Sequence, residues 1–298
     1  MTSHPDDPMD SRHALPEHSL PGRLPDFVVV GATKSGTTSL YYYLDQHPEI
    51  GMSWPKEPRY FLDPEFGNYH RGEAWYRDLF RTPHRLCGEA TPAYTHQPNC
   101  VVAERMHNLI PRARLIYLVR EPWSRLVSHY RMLRSSPNTP NGTPAEILRK
   151  RPRARLASLY GTHWNCLTKY FPADQLLLVE SNHLLSATRD TMRTIFEFLG
   201  VDPHFDSRVF DRKFHKAETR DRRLARSPEP QTNPGMAMDD GVPGPNVDSS
   251  ASVIFPPELI RELHDEFHRE VDLLRQLTGQ PFPSLDLPPL ERLLAEHT

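Results

Sequence analysis

Lys34 sits inside a run of glycine and hydroxyl residues, Gly31-Ala32-Thr33-Lys34-Ser35-Gly36-Thr37-Thr38-Ser39, that follows the apolar stretch Phe27-Val28-Val29-Val30. The stretch reads as a buried strand, the polar run as a tight loop, and a helix-like pattern begins near Thr38. In that order of elements, backbone N–H groups and the positive end of a helix dipole converge on one point, a site for a phosphate-like anion. Arg120 ends a second apolar run, Leu115 to Val119, with Ser128 further on. A guanidinium fork suits a second anionic group. Glu57 lies in Trp54-Pro55-Lys56-Glu57-Pro58-Arg59-Tyr60-Phe61, where two prolines restrain a Lys-Glu pair set among aromatic residues. A stiffened polar pair in such surroundings marks a place for chemistry, with Trp54, Tyr60 and Phe61 able to desolvate it.

The spacing of Gly31 and Gly36 matches the first half of a nucleoside-triphosphate P-loop, but Thr37 and Thr38 follow where that motif needs Lys and then Ser or Thr. The second strand ends in Arg120 rather than in an acidic metal ligand. Two anion sites at two strand ends point to a nucleotide with separated charged groups.

Lys34-Ser35-Gly36-Thr37-Thr38 resembles the 5′-phosphosulfate loop of sulfotransferases that use 3′-phosphoadenosine 5′-phosphosulfate (PAPS), and Arg120 with Ser128, in LVREPWSRLVSHY, resembles their 3′-phosphate motif. The likeness runs from about Asp26 to Pro203 and more loosely to the C-terminus. It implies PAPS as donor, 3′,5′-ADP as product and no metal requirement. Lys34 would bridge the 5′-phosphate and the sulfuryl oxygens, and Ser35, Gly36, Thr37, Thr38 and Ser39 would complete the cradle. Lys56-Glu57-Pro58 matches the segment in which a glutamate of the heparan-type branch takes the acceptor proton, so Glu57 is the candidate base, with Lys34 and Lys56 as further catalytic candidates; His129, His96 and Glu89 stand behind Glu57. In the late loop that closes over the nucleotide in those relatives, Lys216 and Arg220 are the matching basic residues, without the glycine that usually follows. Ala90 replaces a lysine common in heparan-modifying relatives. A carbohydrate or a small hydroxylated molecule is the expected acceptor; a catalytically silent PAP-binding module and a P-loop nucleotide kinase are the competing readings.

These residues need a scaffold. Strands are expected over Phe27–Val30, Ile50–Ser53, Leu86–Ala90, Arg114–Val119 and Gln175–Val179. Helices are expected over Thr38–Gln46, Glu73–Phe80, Asn99–Ile110, Pro122–Leu133, Leu156–Tyr170, Thr188–Leu199 and Glu258–Leu277. Alternation of this kind implies an α/β fold, a P-loop-like parallel sheet with helices on both faces, in a single domain over residues 25–298, with ligands at the carboxyl ends of the strands. Residues 1–24 read as a disordered N-terminal segment, and 228–257, with seven prolines and three glycines, as a long surface loop. The run from Arg149 to Arg155 has five basic residues in seven and reads as a solvated face or as a contact for an acidic acceptor.

With 298 residues, 37% hydrophobic content and a net charge of −2, the chain has enough apolar residue for a large core and lacks the bulk basicity of a nucleic-acid binder. No apolar segment at the N-terminus suggests a signal or membrane anchor, so no membrane span and a cytoplasmic location are expected. Cys87, Cys100 and Cys166 show neither paired spacing nor zinc-ligand spacing and read as reduced thiols.

Overall fold

The structure, a computed structural model, describes residues 20–136, 139, 141–212, 214 and 253–297. In chain order these form β1 (Phe27–Gly31), α1 (Thr37–Leu44), β2 (Ile50–Met52), α2 (Gly72–Asp78), β3 (Leu86–Ala90), α3 (Val101–Leu109), β4 (Arg114–Val119), α4 (Pro122–Arg134), α5 (Pro144–Lys150), α6 (Arg153–Leu156), α7 (Tyr160–Thr168), β5 (Leu176–Glu180), α8 (Ser181–Ser186), α9 (Thr188–Leu199), α10 (Pro257–Thr278) and α11 (Leu290–His297).

The five strands pair in parallel in the order β2-β3-β1-β4-β5. β1 is central and buried along its whole length, which explains its unbroken apolar run. Phe27 and Val29 face a layer that includes Leu40 of α1 and Phe196 of α9. Val28 and Val30 face the opposite layer, with Met106, Leu126, Tyr160 and Phe267 from α3, α4, α7 and α10. Each such buried side chain contributes about 1.5–3 kcal/mol. The chain leaves β1 towards β2 on one side of the sheet and leaves β4 towards β5 on the other. The switch point where α/β sheets bind ligands therefore lies between the carboxyl ends of β1 and β4.

Every expected strand is present, and boundaries differ by a residue or two. The helix expected over Leu156–Tyr170 is broken at Ala157–Leu159 between α6 and α7, where the Ser158 hydroxyl accepts from Arg125 Nε at 2.7 Å. α5 arises where loop and basic run meet: Thr143 and Glu146 cap it reciprocally with Pro144 at its first position. Residues 20–24 are docked on the domain rather than outside it. Arg23 pairs with Asp26 at 2.6 Å and donates to the His84 carbonyl at 3.2 Å. Of the expected surface loop 228–257, residues 228–252 lie outside the described residues, whereas Phe255 is fully buried and packs on Trp123 and Tyr130.

The reduced-thiol expectation is corrected. Cys100 and Cys166 form a disulfide with Cα atoms 5.0 Å apart, tying the start of α3 to α7. Their separation of 66 residues is a tertiary coincidence that no local spacing rule detects. Cys87 is the remaining free thiol; burial pushes its pKa up to about 12.

Candidate active site

The loop after β1 is built from main chain. A Cβ on Gly31 would lie 2.4 Å from Thr95 Oγ1, so only glycine fits there. Ala32 N–H donates to the Leu118 carbonyl at 2.6 Å, and Ser35 N–H turns back to the Ala32 carbonyl at 3.1 Å. Lys34 (φ 71°) and Gly36 (φ 92°) both occupy the left-handed region, which lets the chain wind into α1 within a few residues. No side chain caps α1 at Gly36, and its first turn holds no acidic residue. The N–H groups of Thr37, Thr38 and Ser39 thus lack an internal anion, as an anion site requires. The Ser35 hydroxyl is fully buried and makes no hydrogen bond among the described residues; the nearby Tyr160 hydroxyl spends its proton on the Arg120 carbonyl at 2.7 Å. A buried hydroxyl beside uncapped N–H groups fits the terminal phosphate or sulfate of a nucleotide.

Arg120 arrives from β4 at this loop, its Nη1 donating to the Lys34 carbonyl at 3.2 Å. The two acids that could have claimed it are committed elsewhere. Glu121 caps α4, accepting from Trp123 N at 2.6 Å and Ser124 N at 2.7 Å, and Asp63 pairs with Arg105 at 2.6 Å. Ser128 lies half-buried on α4. Lys216 and Arg220 lie outside the described residues.

Glu57 stands on the other side. Its side chain is only 9% exposed, with Lys56 Nζ at 2.5 Å and Arg59 Nη2 at 3.6 Å. Glu57 (φ 62°) and Arg59 (φ 54°) are both in the left-handed region, a conformation that costs non-glycine residues energy and persists only where surrounding contacts enforce it. Those contacts are visible: Asn68 donates to the Pro58 carbonyl at 2.8 Å, and Arg59 N–H donates to Thr91 Oγ1 at 3.3 Å. Lys56 packs towards the Tyr41 ring, 5.9 Å away. The aromatic residues expected to desolvate Glu57 are placed differently: Trp54 is exposed, and Tyr60 stacks on Tyr76 at 4.2 Å. Glu57 instead borders a cleft of about 240 Å³ shared with Thr33 of the anion loop, Leu62, Phe66, Pro92, Ala93, His96, His129, Met132, Arg153 and Leu156.

A family model described as Sulfotransferase domain matches residues 24–269. The chain belongs to the sulfotransferase domain family. It is 32% identical over 205 residues to the bifunctional heparan sulfate N-deacetylase/N-sulfotransferase 3 of Mus musculus, covering 62% of this chain and 23% of that protein. It is 29% identical over 286 residues to heparan sulfate glucosamine 3-O-sulfotransferase 6 of Homo sapiens, covering 90% of this chain and 76% of that protein. The chain therefore spans about a quarter of the length of the N-deacetylase/N-sulfotransferase it matches. A sulfotransferase from Alicyclobacillus acidocaldarius shares the fold, with a TM-score of 0.63 at 24% identity over 88% of this chain and 99% of that chain.

Two residues of this sulfotransferase domain carry more of the site than their sequence context suggests. Arg125, fully buried, donates to Ser158 Oγ at 2.7 Å, to the Thr33 carbonyl at 3.4 Å and to the Ala154 carbonyl, and its Nη1 meets His129 Nδ1 at 3.2 Å. It fastens the anion loop to α4 and α6; its only signal was a second arginine on the buried face of α4. Glu89, at the end of β3, accepts from Tyr76 at 2.6 Å, Tyr94 at 2.8 Å and Thr91 at 2.5 Å. Burial outweighs these three donors and pushes its pKa up to about 7. Through Thr91 it supports the backbone at Arg59, so Glu89 braces the Glu57 turn rather than facing the cleft. His96 Nε2 lies 2.7 Å from Thr33 Oγ1, and desolvation, reinforced by nearby arginines, holds its pKa well below the usual imidazole range.

Proposed function

We propose that this domain moves a sulfuryl group from PAPS to a hydroxyl or amine of a carbohydrate or small-molecule acceptor. The observation that carries the reading is that Glu57 and the anion-loop residue Thr33 border one cleft at the carboxyl end of the central strand. The loop N–H groups, Ser35 and Lys34 suit the 5′-phosphosulfate end, and Arg120 with Ser128 suits the 3′-phosphate. When bound, PAPS supplies an activated sulfuryl group and a phosphate leaving group whose charge must be neutralised.

The chain's own residues do the rest. Lys34 places a cation at the loop where charge develops. Glu57 accepts the acceptor's proton, and Lys56 and Arg59 fix the direction of its carboxylate through the contacts at 2.5 and 3.6 Å. Burial keeps His96 a neutral ring beside Thr33.

Calorimetry with 3′,5′-ADP against ADP, together with transfer from labelled PAPS to a hydroxylated panel, tests this. The 3′-phosphate should strengthen binding by at least about tenfold, the usual reach of one charge-assisted contact. Equal affinity for the two nucleotides would sink the donor assignment.

A further inference from the structure

The two anion sites of the donor reading lie on different elements, one on the loop after β1 and one at the end of β4, so their separation depends on what joins those elements. Arg120 leaves the sheet just beyond the last β4–β5 pair, Val119 with Glu180. Both of its main-chain groups turn to one side chain: the Tyr160 hydroxyl accepts from Arg120 N–H at 3.3 Å and donates to the Arg120 carbonyl at 2.7 Å. A hydroxyl carries a donor and lone pairs together, so it can hold the N–H and the C=O of one residue at once. With its main chain fixed, Arg120 reaches the Lys34 carbonyl at 3.2 Å through Nη1. Ser35 is the polar neighbour of Tyr160 on the loop side. Burial pushes the Tyr160 pKa up to about 12, and the Ser35 hydroxyl counters part of that rise. The phenol therefore keeps its proton near neutrality, and the donation to Arg120 persists.

Tyr160 is itself held from both flanks. It is fully buried and opens α7, its ring edge-on to Tyr117 with centroids 6.1 Å apart. The residues after it lock to α10: Thr162 N–H and Oγ1 donate to the two Glu270 carboxylate oxygens at 2.8 and 2.7 Å, and a Cβ on Gly161 would lie 2.7 Å from the Glu270 carbonyl. On the other side, Tyr160 N–H donates to the Ser158 carbonyl at 2.9 Å, and the Ser158 hydroxyl is the one that Arg125 engages. A ring packed this way is a rigid reference for the strand end it holds.

We propose that Tyr160 is a positioning residue: by fixing Arg120 relative to Lys34 and Ser35 it sets the separation of the two anion sites, and with it the preference for an adenosine nucleotide phosphorylated at both the 3′ and the 5′ position. The proposal rests on the donor reading above. The hydroxyl is spent on main chain, so Tyr160 acts through Arg120 and not by contact with the nucleotide.

Calorimetry of 3′,5′-ADP and of 5′-AMP, which lacks only the 3′-phosphate, reads that preference as a ratio of affinities. It is measured in the wild type, Tyr160→Phe, Arg120→Ala and the double variant, with the melting temperature followed in each. Tyr160→Phe keeps the ring and takes the hydroxyl from both main-chain groups of Arg120. The ratio should fall on the order of tenfold, through weaker binding of 3′,5′-ADP with 5′-AMP affinity held. In the Arg120→Ala background Tyr160→Phe should add nothing, the mark of two residues acting through one contact. An unchanged ratio, a loss shared equally by both nucleotides, or a fully additive effect in that background would overturn the inference while leaving the donor reading intact. A wild type that binds the two nucleotides equally would remove the donor reading and the inference with it. Should Tyr160→Phe fail to fold, Glu270→Ala decides alone: it frees the first turn of α7 and keeps the hydroxyl, so a smaller ratio supports the inference and an unchanged one refutes it.

Discussion

The loop after β1 and the cleft beside Glu57 sit at the same edge of the sheet but are made in different ways. The loop is contiguous, nine residues from Gly31 to Ser39, and its recognition groups are mostly backbone N–H, held by two left-handed positions and an uncapped helix. The cleft is discontinuous, and its recognition groups are side chains whose places depend on second contacts such as Thr91 to Arg59 and Arg125 to Thr33. A main-chain site keeps its ligand chemistry while neighbours vary, because every residue supplies the same amide. A side-chain site changes its ligand with each substitution. This contrast accounts for a donor side that is plain from a short motif and an acceptor side that is not.

The contrast can be broken most sharply at Glu57. Glu57→Gln should lower kcat by about 10²–10⁴-fold, the range of a lost general base, with 3′,5′-ADP affinity unchanged. Full turnover in that variant would move the base elsewhere, with His129 and His96 next in line on the same cleft. Lys34→Ala should cost about 10²–10³-fold in kcat, as expected for one preorganised donor, and unlike Glu57→Gln should also weaken nucleotide binding. If both variants altered only acceptor KM, the division into donor and acceptor sides would be wrong.

Glu89→Gln tests the brace behind the cleft. Burial raises the folded pKa of Glu89 to about 7, above the ~4.3 of an unfolded glutamate. The folded state therefore binds a proton that the unfolded state has released. The associated stability is fully present below about pH 4.3 and is lost as pH rises towards about 7. Urea unfolding across this window should show the wild type losing stability relative to Glu89→Gln, and parallel pH profiles would refute the assignment. Gly36→Ala should have the smallest effect. The nearest atom to an added Cβ is 3.5 Å away, so the cost is that of a non-glycine residue at φ 92°, about 1–2 kcal/mol in denaturant unfolding.

Much of this was legible in the primary structure because it is local. A strand buried on both faces must be uniformly apolar, a left-handed turn calls for glycine, and a parallel strand pair needs a crossover helix between its members. The stretch from Phe27 to Leu44 shows the first rule in β1, the second at Gly36 though not at Lys34, and the start of a crossover in α1. The α5 cap is equally local, a threonine with a glutamate three residues on and a proline between, but the segment reads in sequence as a loop running into a basic face, with no helix expected there. The Cys100–Cys166 bridge, the triple donor shell of Glu89 and the inward pairing of Arg153 and Arg155 were not legible, since each joins segments that no periodicity connects.

Residue order alone thus dictated a tight glycine-bearing turn into a helix, a cation at the neighbouring strand end and a parallel α/β sheet, because amide geometry, glycine torsions and hydrophobic alternation act between near neighbours. Three-dimensional packing decided which side chains share the Glu57 cleft, which arginines are spent on internal contacts, and that two distant cysteines meet. Those outcomes rest on the relative placement of whole elements, a property of how the two faces of the sheet are filled and not of any one stretch of chain.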